Sequence, residues 1–256
     1  MLPFVYIDGN PFPMYAVMAI FGIVFAVIIA LVKRKAFDLR KRDVLRVASF
    51  AVIGALVGAR LFSIIGKVFR HGGDPGFWAG PNLLKLMLGS GLVFYGGLLG
   101  GFGMAALRAK IGRISLRSVF DCAAYVGLAF QSIGRIGCYC AGCCYGIELA
   151  DGTKFPVQLV EAAYCFMMLL AFLIVKPERR WPRLPLFPVY LIIYSVGRFI
   201  FEFFRGDANR GVWILSTSQW IGLALIALAV LWLRKSGFLH RLHGSKAQNV
   251  QEALCD

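Results

Sequence analysis

The feature that most constrains this chain is the regular recurrence of long, mostly apolar blocks, each about 17–23 residues in length. A helix needs roughly 20 apolar residues to cross about 30 Å of hydrocarbon. Such blocks predict an all-α polytopic membrane protein with seven transmembrane helices. The predicted spans are 15–32, 44–66, 88–107, 118–137, 157–175, 185–204 and 217–233.

Composition agrees with that interpretation and limits the number of domains. Hydrophobic residues make up 59% of the chain and the mean hydropathy is +0.72, whereas a soluble domain is usually about 45–50% apolar. The apolar blocks occupy nearly the whole chain. We therefore predict a single transmembrane helical bundle over 1–240, followed by a polar cytoplasmic tail over 241–256.

Basic residues alternate between the two sides of the predicted spans. Eighteen Lys and Arg lie on one side and seven on the other, and cytoplasmic loops carry the excess of basic residues. The N-terminus is therefore predicted outside and the C-terminus inside the cytoplasm. The net charge of +15 then reflects topology and contact with anionic membrane lipids, and we expect no nucleic-acid partner.

Small residues recur at helical spacing in the second and third spans. Gly54 and Gly58 form a GxxxG pattern, and four further glycines lie at 96, 97, 100 and 101. Residues without side chains let two helices approach closely in a membrane. These glycines therefore predict helix packing rather than a site.

Several polar side chains lie inside the apolar blocks, where each costs a few kcal/mol unless it is satisfied. By the predicted topology, all of them except Asp121 fall in the outer half of the bundle. Tyr194, Arg198 and Glu202 are four residues apart and share one helix face. The full set is Arg60, Asp121, Gln131, Arg135, Gln158, Glu161, Arg198 and Glu202.

Two interpretations of this polar layer remain open from the residues alone. The first is a set of structural ion pairs, such as Arg198 with Glu202 or Arg135 with Glu161. The second is a ligand site, because several arginines beside tyrosines and carboxylates at one depth suit a phosphate ester. The guanidinium fork matches phosphate oxygens.

A cysteine cluster follows the fourth span, in the segment QSIGRIGCYCAGCCYG at 131–146. Outside the cytoplasm, packing of small thiols or a disulfide is the first expectation, and a catalytic thiol is the second. Cys138 and Cys143 are possible site residues, far enough apart to ligate zinc or an iron–sulfur cluster. A metal site ranks last, since no histidine is near and the spacing CxCxxCC is not a standard one. We accordingly expect no metal and no cofactor.

Six segments together resemble the bacterial prolipoprotein diacylglyceryl transferases. Two of them resemble the family elements HPxQLYE and YGxxRFxxEFFR, and a third resembles FHGGLIGG. The match covers most of the chain, in the family's order. The segments are FPVQLVE at 155–161, YSVGRFIFEFFR at 194–205, FYGGLLGG at 94–101, GRIG at 134–137, PMYAVM at 13–18 and GARLF at 58–62.

The resemblance implies an activity and assigns residues to it. The family's enzymes move diacylglycerol from phosphatidylglycerol to the lipobox cysteine thiol in the signal peptide of a prolipoprotein, and they release glycerol phosphate. The implied location is the bacterial cytoplasmic (inner) membrane, with the active site facing the outer leaflet. Arg135 and Arg198 would hold the phosphate, with Tyr95 as a third catalytic residue. The substrate-binding residues would be Tyr15, Arg60, Gln158, Glu161, Tyr194 and Glu202.

The chain departs from the family pattern at positions that bear on the acceptor. Tyr95 replaces the histidine of FHGG, and Phe155 replaces that of HPxQ. In the GRIG segment, Cys138 and Ala141 replace two asparagines and Cys143 replaces an acidic residue. Two alternatives therefore stay beside the transferase: a paralogue with the same lipid site and another acceptor, and a non-enzymatic lipid-binding or transport protein.

Overall fold

The computed structural model describes residues 4–7, 10–71, 94–182, 184–206 and 214–236. Within those residues, seven helices of 16 residues or more each overlap one predicted span. The predicted tail 241–256 and residues 88–93 of the third span lie outside the described part. The helices are α1 (Met14–Lys33), α2 (Lys41–His71), α3 (Phe94–Ile111), α4 (Leu116–Ala141), α5 (Val157–Val175), α6 (Leu186–Phe201) and α7 (Thr217–Lys235).

Five of the described helices are long and apolar enough to cross a membrane, which confirms a multi-pass membrane protein. They are α1, α2, α5, α6 and α7, two of them extended by a 3₁₀ turn. Helix α4 is long enough but carries Asp121, Gln131 and Arg135, and the described part of α3 begins only at Phe94. The crossing of these two helices stays a prediction.

A short β-hairpin precedes α1 and was not expected from the sequence. Strand β1 (Phe4–Ile7) pairs antiparallel with β2 (Asn10–Pro13), and Phe4 lies opposite Pro13. The Asp8–Gly9 dipeptide between the strands is typical of two-residue hairpin connections. The hydropathy pattern could not reveal the hairpin, because both strands are only four residues long.

The chain divides into two compact units, one of Asp38–Val119 and one of Met1–Phe37 with Phe120–Asp256. We call the first the two-helix unit, since α2 and α3 pack within it. Gly54 lies against Gly100, and Gly58 against Gly96. A Cβ atom on Gly96 would lie 2.5 Å from the carbonyl oxygen of Gly58. The glycines therefore serve close helix packing, as the sequence predicted.

A methyl group at this crossing should separate the two helices. We expect Gly100→Ala to lower the thermal stability of the detergent-solubilised protein, because its Cβ would overlap the backbone of Gly54. Gly103→Ala is the matched control, since a Cβ there meets nothing within 4 Å. Equal unfolding temperatures for the two variants would contradict a packing role for Gly100.

The second unit, called the five-helix unit, contains α1, α4, α5, α6 and α7 and has a polar cluster at one end. Lys33 Nζ lies 2.8 Å from Glu178 Oε1, and Tyr125 donates a hydrogen bond to the other oxygen of Glu178. Burial opposes ionisation, but the hydrogen bonds from Lys33 and Tyr125 hold the pKa of Glu178 below its usual range. This cluster joins the end of α1 to the single helical turn Pro177–Arg180.

Asp121 belongs to the same end and has a capping role. Its Oδ1 accepts hydrogen bonds from the backbone N–H groups of Leu186 and Phe187, at 2.7 and 3.0 Å. These are the first two residues of α6, whose N–H groups have no partner within their own helix. Its negative charge also suits the positive end of the helix dipole. The structure thus explains why this one polar residue lies apart from the others.

Candidate functional site

Glu161 is the centre of a buried ion network at the opposite end of the five-helix unit. Roughly 20 Å of helix α5 separates it from the helix's C-terminal end. Its Oε2 lies 2.7 Å from Arg135 Nε on α4, and its Oε1 lies 2.7 Å from an Nη of Arg198 on α6. The side chain of Glu161 is only 5% exposed. One carboxylate therefore holds arginines from two helices in a fixed arrangement.

The ion network continues along α6 to Glu202 and Arg205, which follow the end of that helix. The other Nη of Arg198 lies 2.7 Å from Glu202 Oε2, one helical turn away. Arg205 lies 3.5 Å from the same oxygen. Both structural ion pairs suggested by the sequence are therefore formed. Among these five side chains, three guanidinium groups face two carboxylates, so the named groups carry one excess positive charge.

The two central arginines differ in how their forks are used. Both Nη atoms of Arg198 bind carboxylates, whereas Arg135 binds Glu161 through Nε alone. Within the described residues, neither Nη of Arg135 makes an ion pair. Arg135 also lies beside Tyr194, and Tyr194 stacks on Tyr190 with ring centroids 5.9 Å apart. Arg135 is thus the arginine of the two whose Nη atoms have no carboxylate partner within the described residues.

The segment between α4 and α5 brings Gln158 to the network. Gly146 and Phe155 are joined by a backbone hydrogen bond, and a Cβ on Gly146 would lie 2.5 Å from the Phe155 carbonyl oxygen. This close approach directs the chain into α5 at Val157. There the Nε2 of Gln158 donates a hydrogen bond of 2.7 Å to the Cys143 carbonyl. Its Oε1 is buried and has no hydrogen-bond partner within the described residues.

Three cysteines gather beside the network where α4 ends. The Sγ atoms of Cys138, Cys143 and Cys144 all lie within 4.8 Å of one another, and no disulfide joins them. A hydrogen bond from Cys138, with the positive charges of Arg205 and Arg135, lowers the pKa of Cys144 despite burial. Burial and the neighbouring Cys144 raise the pKa of Cys143. The cluster therefore contains one thiol much more easily ionised than its neighbour.

Tyr15 completes the group of predicted residues in the five-helix unit. A Cβ on Gly137 would lie 3.7 Å from the Tyr15 ring, so the start of α1 lies against the end of α4. Nine of the eleven predicted site residues are brought together here. They are Tyr15, Arg135, Cys138, Cys143, Gln158, Glu161, Tyr194, Arg198 and Glu202.

The remaining two predicted residues, Arg60 and Tyr95, belong to the two-helix unit. Tyr95 precedes Gly96, and Arg60 lies two residues after Gly58, the glycine that faces Gly96. Both residues therefore lie near the place where the start of α3 packs against α2. Tyr95 is 38% exposed.

Three residues of the site were not singled out from the sequence. Arg205 and Cys144 lie within the segments quoted above, and the position of Arg205 three residues after Glu202 was a usable signal. Ser218 gave no such signal, because it lies in the first turn of α7, on a different helix from Arg198. An Nη of Arg198 donates to its hydroxyl at 3.5 Å. Phe155, in the place of a family histidine, packs its ring 6.0 Å from that of Phe204.

Known proteins are similar to this chain over most of its length. A phosphatidylglycerol–prolipoprotein diacylglyceryl transferase of Clostridium tetani is 32% identical over 232 residues, covering 84% of this chain and 90% of the relative. A second transferase of that name, from Clostridium perfringens, is 29% identical over 236 residues, or 85% and 88% of the two chains. The family model for prolipoprotein diacylglyceryl transferase matches residues 4–234. The chain belongs to the prolipoprotein diacylglyceryl transferase family.

Proposed function

We propose that this protein is a phosphatidylglycerol–prolipoprotein diacylglyceryl transferase. In the reaction, the lipobox cysteine sulfur forms a bond to the carbon of the diacylglyceryl unit that is joined through oxygen to the phosphate. The carbon–oxygen bond breaks, its electron pair leaves with glycerol phosphate, and the thiol proton is released. The observation that carries the proposal is the buried network of Arg135, Glu161 and Arg198, a fixed cationic group of the kind that stabilises a departing phosphate.

Arg135 is the best placed of these residues to hold the phosphate. Its Nε is fixed by Glu161, so the outer edge of the guanidinium can face a ligand without losing its orientation. Its side chain is 19% exposed, compared with 10% for Arg198. Arg198 is held by two carboxylates and Ser218. We infer that Arg198 supplies positive charge and position, and that Arg135 supplies the phosphate contact.

Gln158 offers a second contact that suits a glycerol headgroup. A buried acceptor without a hydrogen-bond partner costs about 1–3 kcal/mol, and Oε1 of Gln158 is such an acceptor within the described residues. A hydroxyl of phosphatidylglycerol would satisfy it. Tyr194 and Tyr15, which lie beside Arg135, would line the same pocket.

Tyr95 takes the place of the histidine in the family's FHGG element, and we propose that its hydroxyl takes part in the transfer reaction. Tyr95→Phe should then slow transfer about tenfold or more, the lower end of what a positioned acid–base group supplies. Initial rates on a lipobox peptide measure the effect, with Tyr6→Phe in the exposed hairpin as the control. A full-rate Tyr95→Phe enzyme would remove Tyr95 from the site.

We further propose seven membrane crossings, with the N-terminus outside and the site facing the outer leaflet of the cytoplasmic membrane. The count of basic residues supports this orientation. In intact cells, an impermeant thiol reagent should not label Lys41→Cys or Arg179→Cys, which would lie in cytoplasmic loops. It should label Glu148→Cys, at an exposed position in the segment between α4 and α5. Labelling of Lys41→Cys and Arg179→Cys would reverse the orientation.

Release of glycerol phosphate tests the proposed activity against its rivals. The purified protein, given phosphatidylglycerol and a lipobox peptide, should release glycerol phosphate only when both substrates are present. A lipid-binding or transport protein would release none. A paralogue with another acceptor would release no glycerol phosphate with this peptide, even though its lipid site is intact.

A further inference from the structure

We propose that Cys138, Cys143 and Cys144 bind a zinc ion whose fourth coordination position takes the acceptor thiol. This inference rests on the proposed transferase activity and adds a metal to it. The sequence ranked a metal site last, because no histidine is near and the cysteine spacing is unusual. The structure changes that ranking, since three sulfur atoms converge on one point.

The distances fit a thiolate zinc site. Zinc–sulfur bonds are about 2.3 Å long, and tetrahedral geometry then places ligand sulfurs roughly 3.8 Å apart. The three Sγ atoms here lie within 4.8 Å of one another. Small side-chain rotations would therefore bring all three to bonding distance of one ion.

The backbone is already folded to present the three thiols together. Cys138 lies in the last turn of α4, and the Cys143 N–H donates back to the Cys138 carbonyl at 3.2 Å. Gly142 and Cys144 adopt left-handed conformations, with φ of 71° and 56°. These turns reverse the chain and return the Cys143 and Cys144 side chains to the helix end.

A disulfide explains the cluster less well than a metal does. Adjacent residues have Cα atoms about 3.8 Å apart, below the usual range of roughly 4.4–6.8 Å for a disulfide. This disfavours a bond between Cys143 and Cys144. Any disulfide within the cluster would also leave the third thiol without a partner, whereas a metal uses all three.

The surrounding charges and exposure suit a catalytic rather than a purely structural ion. Three thiolates and Zn²⁺ carry one net negative charge, and Arg135 and Arg205 lie within electrostatic range of Cys144. Cys143 is exposed, so the ion would be reachable from outside the protein. Catalytic zinc sites have three protein ligands and one open position, which matches this set.

Zinc would promote ionisation of the acceptor thiol. This chain lacks the family's histidines, which were the candidate bases for that step. A thiol that coordinates zinc gives up its proton, and here the proton passes to solvent. The sulfur then donates an electron pair to the carbon of the diacylglyceryl unit that is joined to the phosphate. The carbon–oxygen bond breaks, and its electron pair leaves with glycerol phosphate. The thioether product is a weaker ligand than the thiolate, so it leaves and the ion is unchanged.

Cobalt substitution tests the site without requiring any transfer activity. Reduced, metal-free protein in detergent should bind one Co²⁺ per chain and show thiolate-to-cobalt charge-transfer absorption. Ser replacements of Cys138, Cys143 and Cys144 should each weaken binding at least about tenfold. Cys140→Ser is the matched control, because Cys140 lies in the same helical turn but outside the cluster. Cys143→His should still bind cobalt, because histidine is also a ligand, but with a weaker charge-transfer band. Retained binding would show that a variant at this position is folded.

Adding a lipobox peptide to the cobalt-substituted protein tests whether the acceptor thiol binds the metal. The spectrum should change with the cysteine peptide and stay constant with its serine counterpart. Cobalt binding by the triple Ser variant equal to that of the wild type would overturn the proposal. So would full transfer activity in a Cys143→Ser enzyme shown to be metal-free. Absence of transfer by the wild type, with the cobalt spectrum as expected, would count against the transferase activity alone.

Discussion

Replacement of Arg135 by lysine is expected to lower kcat/KM for phosphatidylglycerol by roughly a hundredfold or more, the usual cost of removing one donor to a developing anion. Arg135 Nε pairs with Glu161, and we propose that its Nη atoms contact the phosphate. A lysine ammonium is a single point charge and cannot hold both partners with fixed geometry. Initial rates at saturating peptide give the value.

The matching change at Arg198 separates positioning from phosphate contact. Arg198→Lys should break one of the two carboxylate contacts and lower kcat, with a smaller effect on KM than Arg135→Lys. The exposed Arg179→Lys, in the single-turn helix beyond α5, is the control. Near wild-type rates in both site variants would leave the two arginines as structural counter-ions only.

Glu161→Gln is expected to cost about 3–5 kcal/mol of stability, the range found when one partner of a buried ion pair is removed. Two partly buried guanidinium groups would then lose the carboxylate that they share. The unfolding temperature in detergent should fall clearly below that of wild type, with transfer activity largely lost. Glu148→Gln, at an exposed carboxylate, is the control. An unchanged unfolding temperature for Glu161→Gln would contradict the central role of this residue.

Helix positions could be predicted from the sequence because each apolar block is long enough to span hydrocarbon. The pairing of Arg198 with Glu202 was also visible, since residues four apart share a helix face. The pairing of Arg135 with Glu161 joins two helices, so spacing could suggest but not establish it. The sequence could not show that, within the described residues, the Nη atoms of Arg135 make no ion pair; this is the geometric observation on which the proposed ligand site rests.

The cysteine cluster shows most clearly what the sequence could not provide. The spacing CxCxxCC matches no standard ligand pattern, so packing or a disulfide was the better expectation. The three thiols meet because Gly142 and Cys144 take left-handed conformations after α4. The spacing of the cysteines contains no signal for such a reversal. The β-hairpin before α1 was missed because its strands are too short for a hydropathy pattern.

The departures at Tyr95, Phe155 and Cys138 bear on the acceptor more than on the lipid. All the ion-network residues of the family-like segments are present and paired. The changed positions are instead candidate proton acceptors and the residues around the thiol cluster. The proposal thus predicts an unaltered phospholipid substrate with an altered means of activating the thiol.

The mass of a lipobox peptide after incubation with the purified protein and phosphatidylglycerol tests the account most directly. The account predicts a gain equal to one diacylglyceryl group, attached to the cysteine through a thioether, and no gain on a peptide with serine in place of that cysteine. An unmodified cysteine peptide, under conditions in which the protein is folded and binds phosphatidylglycerol, would contradict it.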